Sequence, residues 1–320
     1  MKLRAVTVMA VAAAVAFAFA TPAQRTGKRG TAKGSAEAER HVLTKDELKS
    51  RLADFKQDIL EEMFSKKMVK EPLLARKWLA KFQVIQSDHY LLFTDGPRHT
   101  CKKFAVSLEK LYEFVRSEFP FDDIDAKLEC LIFKTKEEYV TFCVRLVGWE
   151  KGKAEMTAGH ATSKYYATYY QSPTADTVMH EATHQIVGAC LGIVGVGSWF
   201  QEGMAVYIER KIGNTKPSSG MKSDLRSGNY VPLSVFCGLK SVLFSSKPSQ
   251  ARRGYRHAGA LIDFLANTRL EPVAGRFDQF LAGAKVIGRS LAASEALVRE
   301  VYGLSLDELE GLWKKHLKVR

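Results

Sequence analysis

His180 and His184 flank Glu181 in TADTVMHEATHQIVGACLG, positions 174–192. Residues four apart on an α-helix are separated by about 400°, so the two imidazoles leave nearly the same face and can address one metal ion. Glu181 points along the neighbouring face, where it can reach a water on that ion without ligating it. A hydrolytic zinc site takes three protein ligands and keeps a fourth position open, so a third donor must come from elsewhere. GSWFQEGMAVYIERKIG, positions 197–213, offers Glu202, 18 positions after His184. Gly192, Gly195 and Gly197 let the first helix end and a second return beside it. Ser198 with Gln201 fits a capping box for that second helix and Gly213 fits its C-cap, while Trp199, Phe200, Met204 and Ala205 would bury it. The plainer alternatives are a helix carrying two histidines by chance and a Glu202 that only complements a helix dipole.

Those two helices need a scaffold, and 320 residues with 46% hydrophobic content can supply one large domain or two small subdomains. Lys2 and Arg4 precede an apolar run from Ala5 to Ala20 that ends in Ala18-Phe19-Ala20, the pattern of a cleavable signal peptide over residues 1–20. Residues 21–43 lack an apolar period and read as a disordered linker. Residues 44–87 form a helical N-terminal segment, opened by a Thr44–Glu47 capping box and striped by Leu48, Leu52, Phe55, Ile59 and Met63. Residues 88–320 form the main domain. Strands are expected in DHYLLFTD (88–95), KLECLIF (127–133) and SKYYATYY (163–170), and helices around Phe104–Phe119 and from Lys136. Beyond residue 192 the pattern is largely helical and ends with a Ser305–Glu308 capping box. The fold class is therefore α+β.

The chain carries a formal charge of +13, but its lysines and arginines are dispersed. No basic–aromatic stripe or base-reading motif accompanies them, so specific nucleic-acid binding is not expected. The charge leaves room for weak, salt-sensitive association with anionic envelope polymers. No stretch after residue 20 is long and apolar enough to span a bilayer, so the mature chain is expected to be secreted or held in the periplasm or cell envelope, without a transmembrane segment. Five cysteines with no CxxC pair are too few for a disulfide scaffold, though an exported chain has material for one or two bridges.

H-E-x-x-H followed by W-x-x-E-G-x-A resembles the gluzincin metallopeptidases, and especially their peptidase MA-like group. HYLLFTD, TADTVMHEATHQ, WFQEGMAVYIE and YRHAGALIDFL follow that group in order and approximate spacing, covering about residues 88–270. The resemblance implies a zincin-like fold, with a small mixed-sheet subdomain and a helical subdomain facing across an active-site cleft. It implies Zn2+ held by His180, His184 and Glu202, a general base in Glu181, and a peptide or protein substrate cleaved by a metal-activated water. A metzincin would instead place glycine and histidine where this chain has Val187 and Cys190. Gluzincins commonly carry a Tyr or His after the third ligand to stabilise the oxyanion, which nominates Tyr255 first and His257 second; both can equally be packing residues. Gln185 and Glu209 are candidates to support the ligands, though an exposed helix carboxylate is the commoner reading of Glu209. His160 reads as a loop histidine. By the same resemblance the strand at 163–170 would line the cleft as the sheet's edge and bind substrate by strand addition. The competing function is a non-catalytic envelope-binding module whose metal only staples two helices.

Overall fold

The computed structural model describes residues 42–65, 76–77, 79–122, 124, 126–161, 165–170, 176–242 and 248–319. The expected signal peptide and the linker up to residue 41 lie outside the described residues, as do Ser163, Lys164 and the Ser172-Pro173 turn. In chain order the elements are α1 (Lys45–Ser65), β1 (Gln83–Gln86), β2 (Tyr90–Thr94), α2 (Arg98–Glu118), β3 (Leu128–Phe133), α3 (Lys136–Arg145), α4 (Lys151–Met156), β4 (Gly159–Ala161) and β5 (Tyr166–Tyr169). Among the described residues helices alone follow: α5 (Asp176–Ala189), α6 (Ser198–Ile212), α7 (Met221–Arg226), α8 (Leu233–Phe236), α9 (Pro248–Asn267), α10 (Phe277–Ala284), α11 (Leu291–Tyr302) and α12 (Leu306–His316). The α+β class is as the sequence suggested.

The five strands form one mixed sheet in the order β1-β2-β3-β5-β4. β2, β3 and β5 run parallel through its middle, while β1 and β4 pair antiparallel at its ends. YLLFT of β2 is buried throughout, as expected for an inner parallel strand covered on both faces. Side chains alternate between those faces. Leu92, Cys130, Ile132 and Tyr166 enter a core shared with α2, α5 and the C-terminal helices. Leu91, Phe93, Leu131, Phe133 and Ala167 enter a second core closed by α1 and α3. There Phe55 of the predicted α1 stripe stacks on Phe93, with ring centroids 3.7 Å apart and planes 5° from parallel.

The expectation that 163–170 forms a free edge is overturned. β5 is hydrogen-bonded to β3 on one side and to β4 on the other. β4 is only Gly-His-Ala, too short to show a period-two pattern, so the strand that ends the sheet left no hydropathy signal. β1 was missed for a similar reason, because QVIQ has polar ends and a single buried residue. Strand pairing is a non-local property, and neighbours in sequence do not decide it.

Two of the three predicted capping boxes are formed. Thr44 Oγ1 accepts from the Glu47 N–H while the Thr44 N–H donates to the Glu47 carboxylate, and Ser305 and Glu308 do the same. The Ser198–Gln201 box is absent. α6 is capped instead by Gly197, whose φ of 120° favours glycine; Ser198 Oγ accepts from the Val242 N–H and Gln201 donates to the Ile193 carbonyl. Cys101, Cys130, Cys143 and Cys237 are buried, and Cys190 is half-buried. Among the described residues no helix is long and apolar enough to cross a membrane.

α5 packs on α2, β4, β5 and α6, and α6 packs in turn on α9. The last contact is close because it is made through glycine. A Cβ on Gly203 would lie 2.8 Å from the Ala258 carbonyl oxygen and 2.7 Å from Ile262, and one on Gly259 would lie 2.5 Å from Val206. This approach presents the N-terminal part of α9 to the residues of α5 and α6.

Candidate metal centre

α5 buries Val178, Ala182 and Ile186 in the main core, which leaves its histidines to meet α6. α6 buries Trp199, Phe200, Met204 and Ala205, as its sequence suggested, and Glu202 with them. His180, His184 and Glu202 come together, all buried, with one donor atom from each lying within 4.8 Å of the other two. His180 Nε2 is 3.0 Å and His184 Nε2 is 3.5 Å from Glu202 Oε2. The imidazole rings are 4.9 Å apart and nearly perpendicular. A tetrahedral ion with ligand bonds of about 2.0–2.1 Å holds its donor atoms about 3.3 Å apart, so these separations suit one ion between the three groups. Two imidazoles and a carboxylate are also the donor types of a hydrolytic zinc site. The residues therefore fit the group that the sequence implies.

Glu209 belongs to the same cluster. It lies two turns beyond Glu202 on α6, and its Oε2 is 3.2 Å from His180 Nδ1. The commoner reading, an exposed carboxylate, is thus replaced by one that fixes the ring of His180 and leaves Nε2 to face Glu202. Burial alone would push the His180 pKa down, but hydrogen bonds and charge from Glu202 and Glu209 raise it well above the ordinary imidazole value. Burial pushes Glu202 up, yet the charge of His184 and the bonds to both histidines outweigh it and hold that carboxyl at about 2. Two carboxylates, Glu202 and Glu209, thus favour positive charge on the His180 ring between them.

Glu181 is buried beside this array. Burial raises its pKa against the charges of His184 and His180, and the Glu202 charge adds to the rise. Tyr255, from α9, brings its ring to 5.7 Å from that of His180 at 78°. Burial and then the charges of Glu202, Glu181 and Glu209 raise its hydroxyl well above the ordinary tyrosine value, so it stays a proton donor at neutral pH.

The structure separates the two candidates in YRH. His257 is two residues from Tyr255, or about 200° around α9, and faces away. It is sandwiched between Phe236, at 3.9 Å and 3°, and Trp313, at 4.9 Å and 13°. Gln185 turns its side-chain amide toward the sheet: its Nε2 donates to the Glu129 carbonyl over 2.8 Å and ties α5 to β3. His160 lies in strand β4 rather than a loop, with Nδ1 3.0 Å from the Tyr139 hydroxyl. Sequence reasoning passed over Tyr139, whose hydroxyl pKa is raised by burial first and by the Glu181 charge among lesser causes. Its place follows from packing of α3 on the sheet, for which no local motif exists.

No protein-family model matches the chain, and no curated protein matches it significantly.

Proposed function

We propose that the chain is an exported zinc-dependent peptidase of zincin-like architecture, in which the sheet and the C-terminal helices flank an active-site cleft. His180, His184 and Glu202 are its ligands, Glu181 its general base and Tyr255 its oxyanion donor. The observation that carries this reading is the buried donor triad with a further acid, Glu181, beside it and outside the ligand set. A metal staple between two helices has no use for such an acid, which weighs against the non-catalytic module.

A zinc ion in this donor set supplies Lewis acidity, polarising a peptide carbonyl and bringing a water's pKa toward neutrality. The Glu181 carboxylate takes a proton from the attacking water as the new O–C bond forms at the carbonyl carbon. The Tyr255 hydroxyl donates a hydrogen bond to the carbonyl oxygen as negative charge develops there. Glu181 then delivers its proton to the amide nitrogen while the C–N bond breaks, which releases an amine and a carboxylic acid. Glu209 holds the His180 ring through Nδ1, and burial keeps bulk water from the proton path.

The test joins elemental analysis of the purified full chain to peptide-library cleavage by the wild type and Glu181→Gln. About one zinc per chain is expected in both, with cleavage by the wild type alone; loss of the general base should lower turnover by about 10²–10⁴-fold. Iron, which also suits two histidines and a carboxylate, would point to different chemistry. One zinc with no cleavage by either protein would favour the structural staple.

A further inference from the structure

The segment joining α5 to α6 contains a strained turn. Val196 has φ of 67°, and the Gly197 N–H donates to the Gly195 carbonyl over 2.9 Å. A hydrogen bond from residue i+2 to residue i across positive φ is the rare, strained hand of γ-turn. For a β-branched residue that backbone region is a true outlier, and such a conformation persists only where the surroundings over-determine it.

Here the bracing groups come from the loop joining α10 to α11 and from the first turn of α11. The Val196 N–H donates to the Gly288 carbonyl over 3.0 Å, and its own carbonyl accepts from Ser294 Oγ at 2.8 Å. Ser294 Oγ in turn accepts from Trp199 Nε1 at 3.2 Å, in the first turn of α6. Arg289 Nε donates to the Val194 carbonyl, and Gly195 lies so close to the Ile287 carbonyl that a side chain there would overlap it. Val196 and Ser294 are fully buried, so no water replaces these bonds. The turn ends at Gly197, the N-cap of α6, and Glu202 follows within the next two turns.

We propose that Ser294, together with Arg289, is a positioning residue for the metal centre: it holds the Val196 turn and so aims the Glu202 carboxylate at His180 and His184. The inference rests on reading those three residues as ligands. A displaced N-cap moves α6 as a rigid rod, and a small shift is felt directly in the 3.0 and 3.5 Å separations at Glu202. Metal affinity is then set partly from α11, whose residues touch no ligand.

The experiment measures zinc affinity by chelator competition, and the visible absorption of the Co2+-loaded protein, on the full chain and four variants. Ser294→Ala and Arg289→Ala each break the brace, the second at an exposed side chain that folding tolerates. Ile59→Ala lowers stability from the far face of the sheet, and Glu202→Gln alters a ligand. Zinc binding weakened about tenfold or more in both brace variants, with a changed Co2+ spectrum, is the expected result. Ile59→Ala, at an equal or larger loss of Tm, should bind zinc as the wild type does. Unchanged affinity and spectrum in folded Ser294→Ala or Arg289→Ala, or equal weakening in Ile59→Ala, would overturn the proposal. Wild-type binding by Glu202→Gln would overturn the ligand reading itself, and this inference with it.

Discussion

His180 and His257 are both buried histidines on helices of the same half of the molecule, yet their surroundings drive them to opposite charge. His257 lies between two aromatic faces, and burial pushes its pKa down to about 3. Its Nε2 finds no hydrogen-bond partner among the described residues. His180 has a carboxylate at each ring nitrogen and its pKa is raised. Burial excludes water in both cases; what differs is whether acids were buried with the ring. A buried histidine is therefore informative about chemistry only through its partners.

The sharpest way to break this contrast is to remove one histidine from each setting. On the proposed reading, His184→Ala should weaken zinc binding by more than about 100-fold, because it deletes a proposed ligand outright, whereas His257→Phe should keep one zinc per chain. Elemental analysis after gel filtration reads both, and full zinc in a folded His184→Ala would remove the triad. Next in size, Glu209→Gln should weaken zinc binding by about 10–100-fold without unfolding the chain, since it loosens the His180 ring and deletes no ligand. A chelator titration checks it; wild-type affinity would return Glu209 to the status of a bystander.

How much of this was legible beforehand depends on the range of the interaction. The i, i+4 spacing of His180 and His184 is local to one helix and survived intact, as did the burial of Glu202 foretold by Trp199 and Phe200. Glu209 also stood at a readable spacing, but its role depends on how α6 lies beside α5. Tyr255 and His257 could have been told apart by the helical period alone, because side chains about 200° apart cannot serve one site. The sheet end at β4 could not, since three residues of Gly-His-Ala carry no signal and their pairing with β5 spans the loop between them.

The third test concerns acid. The unfolded chain's His257 titrates near 6.5, well above its folded value of about 3. Between these values the unfolded state binds the extra proton, so the contribution of neutral His257 is complete above about pH 6.5 and is lost as pH falls toward 3. Unfolding in denaturant at pH 7 and pH 5 should show His257→Phe losing about 2 kcal/mol less stability than the wild type over that interval. Equal losses would mean that the stacked ring is already protonated.

Gly203→Ala should leave zinc binding intact and cost about 1–3 kcal/mol of stability, because its new methyl meets the Ala258 carbonyl of α9, which cannot swing aside, as well as the Ile262 side chain. Thermal melts measure it, and a neutral result would show that α9 can draw back from α6 without cost.

The buried cysteines carry a separate consequence, one of metal competition. Thiolate, not thiol, captures soft metals and reacts with oxidants. Burial pushes Cys101 and Cys143 up to about 12 and also raises Cys130 and Cys237. At neutral pH these four sulfurs stay protonated inside the core, so they offer an incoming ion no rival to the imidazoles and carboxylate. A folded Cys190→Ser variant, which keeps only these four, should accordingly load metal equally well with or without reductant, even in an oxidising medium.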